Sequence, residues 1–130
     1  MLFRSTNLLR RLAASGRVVM VGRDIGTVVL PHANLKIWVT ANSTTRATRR
    51  VAELRARGID ADLAAIRASI VERDMRDSTR AAAPSHAAPD AVVIETDATS
   101  VQDEVATAIS ALVVRLGASR TTASPAGETR

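Results

Sequence analysis

Residues 17–22, Arg-Val-Val-Met-Val-Gly, run without a break into residues 23–27, Arg-Asp-Ile-Gly-Thr: a short apolar stretch ending in glycine, then a loop bracketed by Gly22 and Gly26. An apolar run without polar alternation reads as a strand covered on both faces. Two similar runs follow, Leu35–Val39 (LKIWV) and Ala91–Glu95 (AVVIE), the first introduced by the turn Pro31-His32-Ala33-Asn34. Helical patterns lie between them. Asn42 or Ser43 can cap a helix running to about Arg57, with Val51 and Leu54 facing inward and Gly58 as its stop. Asp60 or Asp62 caps the next helix, which carries Leu63, Ile66 and Ile70 on one face and continues into the charged run Glu72–Arg80. Ala81–Pro89 is an alanine/proline connector. Ser100 and Asp103 resemble a capping box, and Val101, Val105, Ile109, Leu112, Val113 and Leu116 keep helical spacing until Gly117. Short apolar strands alternating with helices predict an α/β fold, with a short parallel sheet of three strands flanked by helices. Residues 118–130 are small and polar without periodicity, and are expected to form a disordered tail.

The composition sets outer bounds. At 130 residues there is room for one small domain, and 46% hydrophobic with 24% charged residues excludes wholesale disorder. The absence of cysteine excludes disulfides, thiolate metal sites and cysteine nucleophiles, and His32 and His86 are too few for a histidine-rich metal cage. No protein metal ligand is identified. No apolar run approaches the ~20 residues that a membrane span needs. The basic N-terminal stretch MLFRSTNLLRRLAASG has no apolar core of the ~7–15 residues that a secretory signal requires. A cytoplasmic location is the default expectation, with an amphipathic transit peptide as the minor alternative.

The charge balance is more specific. The chain carries a net charge of +5, and of its 18 basic residues only Lys36 is a lysine. Arginine presents a planar fork of donors matched to phosphate and carboxylate, so such a surface favours anionic partners. Phe3 and Trp38 are the only aromatic residues, too few for the stacking platforms of a single-strand nucleic-acid reader. Nucleotides therefore fit better than nucleic acid.

Two segments carry candidate chemistry. In open parallel sheets, ligands bind beyond the carboxyl ends of strands, where Arg23 and Asp24 fall. Gly22 and Gly26 let backbone approach a ligand there. The competing reading is a tight turn with a surface ion pair. On a helix, Arg73, Arg76, Asp77 and Arg80 lie three and four apart and share one face, where guanidiniums could grip a phosphate and the carboxylate a ribose hydroxyl. The competing reading is a solvated helix laced by Arg73–Asp77 and Glu72–Arg76 pairs, each contributing ~0.3–0.5 kcal/mol. Arg46, Arg49 and Arg50 form a second basic patch, read as solvated. His32 reads as a structural turn residue, His86 as exposed and Trp38 as core.

GRDIGTVVLP, then LKIWVTA, a helix with RATRR, ERDMRDSTRAAAP and PDAVVIET together resemble the bacterial cytidylate kinases, in that family's order from about Gly16 to Leu116. The resemblance implies a partial P-loop nucleoside-monophosphate-kinase fold. It also implies transfer of a phosphoryl group from ATP to CMP or dCMP with Mg²⁺. Carried over residue by residue, it implies that Asp24 helps recognise cytosine and that Arg23 lies near the phosphates. A lid at about residues 72–89 would supply Arg73 and Asp77 to the CMP sugar and Arg80 to the CMP phosphate. Arg76 and Arg80 would be catalytic, with Arg76 closing over the transferring phosphate, and Arg49 would lie on the ATP side.

The family's G-x-x-x-x-G-K-[ST] loop, whose amides and lysine hold ATP phosphates, has no counterpart here. None of the six glycines (16, 22, 26, 58, 117 and 127) precedes Lys-Ser or Lys-Thr, and Lys36 lies within a strand. Residues 1–15 do not resemble the family's start. The expectation is thus the C-terminal part of a cytidylate kinase domain at residues 16–117, truncated and inactive by itself, behind a divergent N-terminal segment. The alternative is a non-catalytic nucleotide-binding, nucleic-acid-binding or partner module derived from that fold. Expected partners are CMP or dCMP, ATP and a complementary N-terminal half.

Overall fold

A computed structural model describes residues 2–81 and 83–121. Helix α1 (Leu2–Ala14) precedes a single π-helical turn (Ile25–Val29) and strand β1 (Ile37–Thr40). Helices α2 (Ser43–Ala56) and α3 (Leu63–Ser78) then lead to strand β2 (Val92–Glu95) and helix α4 (Val101–Thr121). β1 and β2 pair in parallel, with Ile37 opposite Val92 and Thr40 opposite Glu95. α2 and α3, packed on each other, form the crossover that a parallel pair requires. α4 touches β2, and α1 touches the π turn. No helix among the described residues is long and apolar enough to cross a membrane.

Local chemistry explains the helix boundaries. Asn42, with β-region backbone, accepts the Thr45 N–H at 2.8 Å and caps α2, while Asp62 accepts the Ala65 N–H at 2.7 Å and caps α3. α2 stops at Gly58, whose φ of +74° is a left-handed conformation that a side chain would strain. There the Gly58 N–H reaches the Arg55 carbonyl and the Ile59 N–H the Leu54 carbonyl, satisfying two of the orphan acceptors of the last turn. Ser100 Oγ accepts the Asp103 N–H at 3.2 Å at the head of α4.

The core is small. Val29, Ala47, Val51, Ala88 and Ile94 are buried, and among the described residues no large side chain is fully enclosed. Polar ties at the strand ends compensate. Thr96, itself buried, donates its N–H to the Thr40 carbonyl at 2.8 Å, continuing the ladder past β2. Arg49 of α2 donates to Thr96 Oγ1 at 2.9 Å and also to the Thr96 carbonyl. The Asp97 carboxylate accepts the Asn42 N–H at 2.9 Å, and this bond holds its pKa below the usual carboxylate range. β1, α2 and β2 are thereby fastened at one end of the sheet.

Two sequence expectations change, and the N-terminal segment proves helical. The sheet has two strands, not three: Arg17–Gly22 takes no regular structure and lies outside it. Val19 and Val21 of that segment are 92% and 96% exposed. Apolar residues make a strand only when a neighbour accepts their backbone groups, and no described strand does so here. Residues 2–14, in the segment read as divergent from the family, form α1. Its Arg10 donates to the Val28 and Val29 carbonyls at 2.7 and 2.9 Å, holding the helix to the end of the π turn. Finally, α4 continues past Gly117 to Thr121, while the remainder of the expected tail, 122–130, lies outside the described residues.

α2 and α3 are also joined by charge. Arg46 Nη1 donates to Asp74 Oδ1 at 3.0 Å, and Nη2 pairs with the other carboxylate oxygen, while the Arg46 Nε is buried without a partner. Both side chains are over a third exposed, so solvent screens the pair. The Arg46 hydrogen bond lowers the Asp74 pKa, with burial opposing it. The native state therefore binds this proton less readily than the unfolded chain. The contribution is present above the unfolded pKa of about 4 and is lost as pH falls through the native value. Asp74→Asn should melt below wild type at neutral pH, and the difference in Tm should close as the pH is lowered past about 4. Replacing the α3 cap, Asp62→Ala, should lower stability by about 1 kcal/mol, with Asp62→Asn retaining most of it, as read by urea unfolding.

Candidate functional site

Asp77 lies in the last turn of α3 and is 5% exposed. Three arginines converge on its carboxylate. Arg23, from the loop ahead of the π turn, pairs through Nη1 with Oδ2 across 54 residues of sequence. Arg73, one turn back on α3, places Nε 3.8 Å from Oδ2. Arg80 lies beyond the end of the helix and brings Nη2 within 2.8 Å of Oδ1, an ion-pair contact without hydrogen-bond alignment. The chain reverses here: Thr79 caps α3 by donating to the Met75 carbonyl, and the Ser85 N–H returns to the Asp77 carbonyl at 2.9 Å. Between these two bonds Ala83 adopts φ +57°, the one described non-glycine residue with a positive φ.

Three guanidiniums facing one carboxylate leave an excess of positive charge. The Arg23, Arg73 and Arg80 side chains are 42%, 62% and 51% exposed, so each keeps donors toward solvent while Asp77 fixes its position. That arrangement suits a phosphate, which arginine can take through two parallel hydrogen bonds. Exposed charges held by a buried one also lose less freedom on meeting a ligand.

The remaining candidates fall elsewhere. Asp24 adjoins Arg23 but stays out of the ion cluster; its carbonyl accepts the Val28 and Val29 N–H groups at the head of the π turn, and its side chain caps nothing. Gly22 and Gly26 make room for protein here. A Cβ on Gly22 would stand 2.8 Å from the Ile25 side chain, and one on Gly26 3.4 Å from that of Lys36. Arg76 points away from Asp77 and pairs with Glu72 at 2.7 Å. Arg49 is engaged with Thr96. The patch read as solvated stays open to solvent while pairing with neighbours: Arg46, 37% exposed, with Asp74, and Arg50, 47% exposed, with Glu53 at 2.7 Å. Both helix pairs of the competing reading, Arg73–Asp77 and Glu72–Arg76, are present together with the convergence of Arg23 and Arg80.

Sequence spacing could not have found the Arg23–Asp77 pair, the Arg46–Asp74 bridge or the ties of Asp97 and Thr96, because each joins residues far apart in the chain. Lys36 belongs with them: its Nζ donates to both Asp90 oxygens at 2.8 and 3.0 Å, lowering the Asp90 pKa. Among the described residues, no three His, Cys, Asp or Glu side chains gather where they could hold a metal ion.

Comparison with known proteins places this chain in a family. The cytidylate kinase family model matches residues 3–114, a span that takes in α1, the Arg23 loop, both strands and the Asp77 cluster. A cytidylate kinase of Methylocella silvestris is 50% identical over 97 residues, covering 74% of this chain and 45% of its own length. That of Lactiplantibacillus plantarum is 44% identical over 110 residues, covering 85% and 48%. That of Bradyrhizobium diazoefficiens is 45% identical over 116 residues, covering 88% and 55%. The chain thus spans about half the length of the curated relatives it matches. With more than two thirds of its residues inside the family match, this chain belongs to the cytidylate kinase family.

Proposed function

We propose that residues 16–117 supply the CMP- or dCMP-recognising surface and the lid of a cytidylate kinase, and that these residues alone do not transfer the phosphoryl group. The convergence of Arg23, Arg73 and Arg80 on buried Asp77 carries this reading. Arg80 and Arg23 meet the CMP phosphate, Arg73 and Asp77 the sugar, and Asp24 the base. Arg76 leaves its exposed partner Glu72 to reach the transferring phosphate, an exchange of one weak surface pair for a stronger charge-assisted bond.

Phosphoryl transfer is catalysed chiefly by positioning and charge stabilisation, to which a backbone cradle, a lysine and Mg²⁺ contribute heavily. The residues present do not fit that role. No G-x-x-x-x-G-K-[ST] occurs in the sequence, and its one lysine is held by Asp90 at the entrance to β1. Arg49, the ATP-side candidate, would have to give up Thr96 and with it a fastening of α2 to the sheet. Beyond Arg76 on the transferring phosphate, no side chain of this chain holds the ATP phosphates or Mg²⁺.

Calorimetric titration of CMP should give weak binding that falls further with added salt. Arg80→Ala should weaken it by about 10–100-fold, the range expected for loss of a charge-assisted bond, and Asp24→Ala should weaken CMP more than ribose 5-phosphate. Equal CMP affinities for wild type and both variants would refute the assignment. In a coupled assay with ATP, Mg²⁺ and CMP, the purified chain should show no turnover in the ~1–100 per second range of kinases. Turnover in that range would refute the inactivity.

A further inference from the structure

Helix α4 meets the rest of the chain through small side chains and turns its large ones away. Among its described side chains only Glu104, Ala108 and Ala111, spaced four and three apart, are half-buried. On that same edge Arg115 donates to the Asp90 carbonyl at 3.3 Å, ahead of β2. Val105, Ile109, Leu112 and Leu116 follow the four-three-four spacing of a helix seam, and Val101 and Val113 widen it. These six side chains are between 42% and 67% exposed. They form a stripe without a charge that runs roughly 22 Å along the helix. Together they show solvent on the order of 500 Å² of apolar surface, at the upper end of the largest patch that an ordinary monomer carries.

We propose that this stripe is the interface of a homodimer, in which α4 of one copy lies antiparallel on α4 of a second copy. Charge and area on the helix itself select that occupant. Asp103 and Glu104 stand in its first turn and Arg115 toward its other end. Glu104 and Arg115 border the stripe along one edge, so antiparallel pairing sets Glu104 of each copy beside Arg115 of the other, whereas parallel pairing sets like charges together. A two-fold axis needs a patch complementary to itself, and an apolar stripe with one acidic and one basic end is such a patch. Two stripes withdraw on the order of 1,000 Å² of apolar surface, and the polar residues bordering them bring the total to the ~1,200 Å² at which specific interfaces begin. An interface of that size gives a dissociation constant on the order of 10 µM. The arginines at Asp77 lie on other elements, so dimerisation and CMP binding answer to different residues.

The test is sedimentation equilibrium of the full chain, whose mass should rise with concentration from 13.8 kDa toward twice that value and stop there. Ile109→Glu, at the centre of the stripe and at a position 55% exposed, places two like charges across the axis. It should leave the circular dichroism of the monomer unchanged and weaken dimerisation roughly tenfold or more. Glu104→Arg and Arg115→Glu should each weaken the dimer by about threefold, and the doubly reversed chain should recover it. Because the chain has no cysteine, single introduced cysteines report pairing even where the glutamate variant misfolds. Ile109→Cys should crosslink to itself on mild oxidation, and Val101→Cys should crosslink to Leu116→Cys in a mixture but not to itself. A chain monomeric at ~200 µM, well above the expected constant, would overturn the proposal. So would masses beyond the dimer, a dimer that a folded Ile109→Glu leaves intact, or Val101→Cys joined to itself.

Discussion

Arg49 and Thr96 tie this structure together at one end of its sheet. The guanidinium spans from α2 to the end of β2, while Thr96 is tied through its own N–H to the end of β1. With no large side chain fully enclosed, packing alone provides little to fix the helices over so small a sheet. Polar bonds at the strand ends therefore carry orientation as well as stability. Asp97 on the Asn42 N–H adds a second fastening at the same end, and the Arg46–Asp74 bridge carries the placement of α2 onward to α3. Asp77 is positioned by that chain of contacts, and the arginines are positioned by Asp77.

The two charge clusters of α3 differ in what they are fitted for. Asp74 is bonded to a single arginine, Arg46, with Arg23 adding a weaker attraction from further off. Asp77 faces three, and the surplus points outward. Three residues apart on one helix, one carboxylate closes a helix pair and the other organises a surface that attracts anions. Burial accounts for part of the difference, because the Asp77 side chain is 7% exposed against 48% for Asp74, so its interactions are screened less.

Features with a local cause were legible in the sequence. The strands near residues 37 and 92, the caps at Asn42 and Asp62, the Gly58 stop and the Ser100–Asp103 start all depend on residues within a few positions of one another, and the structure has each of them. The α3 face was legible in part: Arg73 and Asp77 pair as their spacing implies, whereas Arg76 turns to Glu72 and Arg80 joins from beyond the helix end. Arg17–Gly22 failed as a strand because its apolar pattern specifies a preference for burial and says nothing of who provides it. Helix α1 is legible only in how its apolar residues recur around a helix, since its adjacent apolar runs are two or three residues long. The Arg23–Asp77 pair was invisible for a different reason: its partners meet only after the whole α2–α3 crossover has folded.

Lys36 has a consequence for chemical probing. It is the chain's one lysine, and its side chain is 9% exposed and held by Asp90. Amine-directed reagents such as succinimidyl esters accordingly find no open side-chain target, while dicarbonyl reagents that attack guanidinium groups meet Arg23, Arg73 and Arg80 with donors in solvent. A footprint with the two reagent classes separates the states of the molecule. Lysine reactivity reports loosening at the entrance of β1, and reactivity resolved to Arg23, Arg73 and Arg80 among the chain's 17 arginines reports occupation of the anion surface, without a substitution in either place.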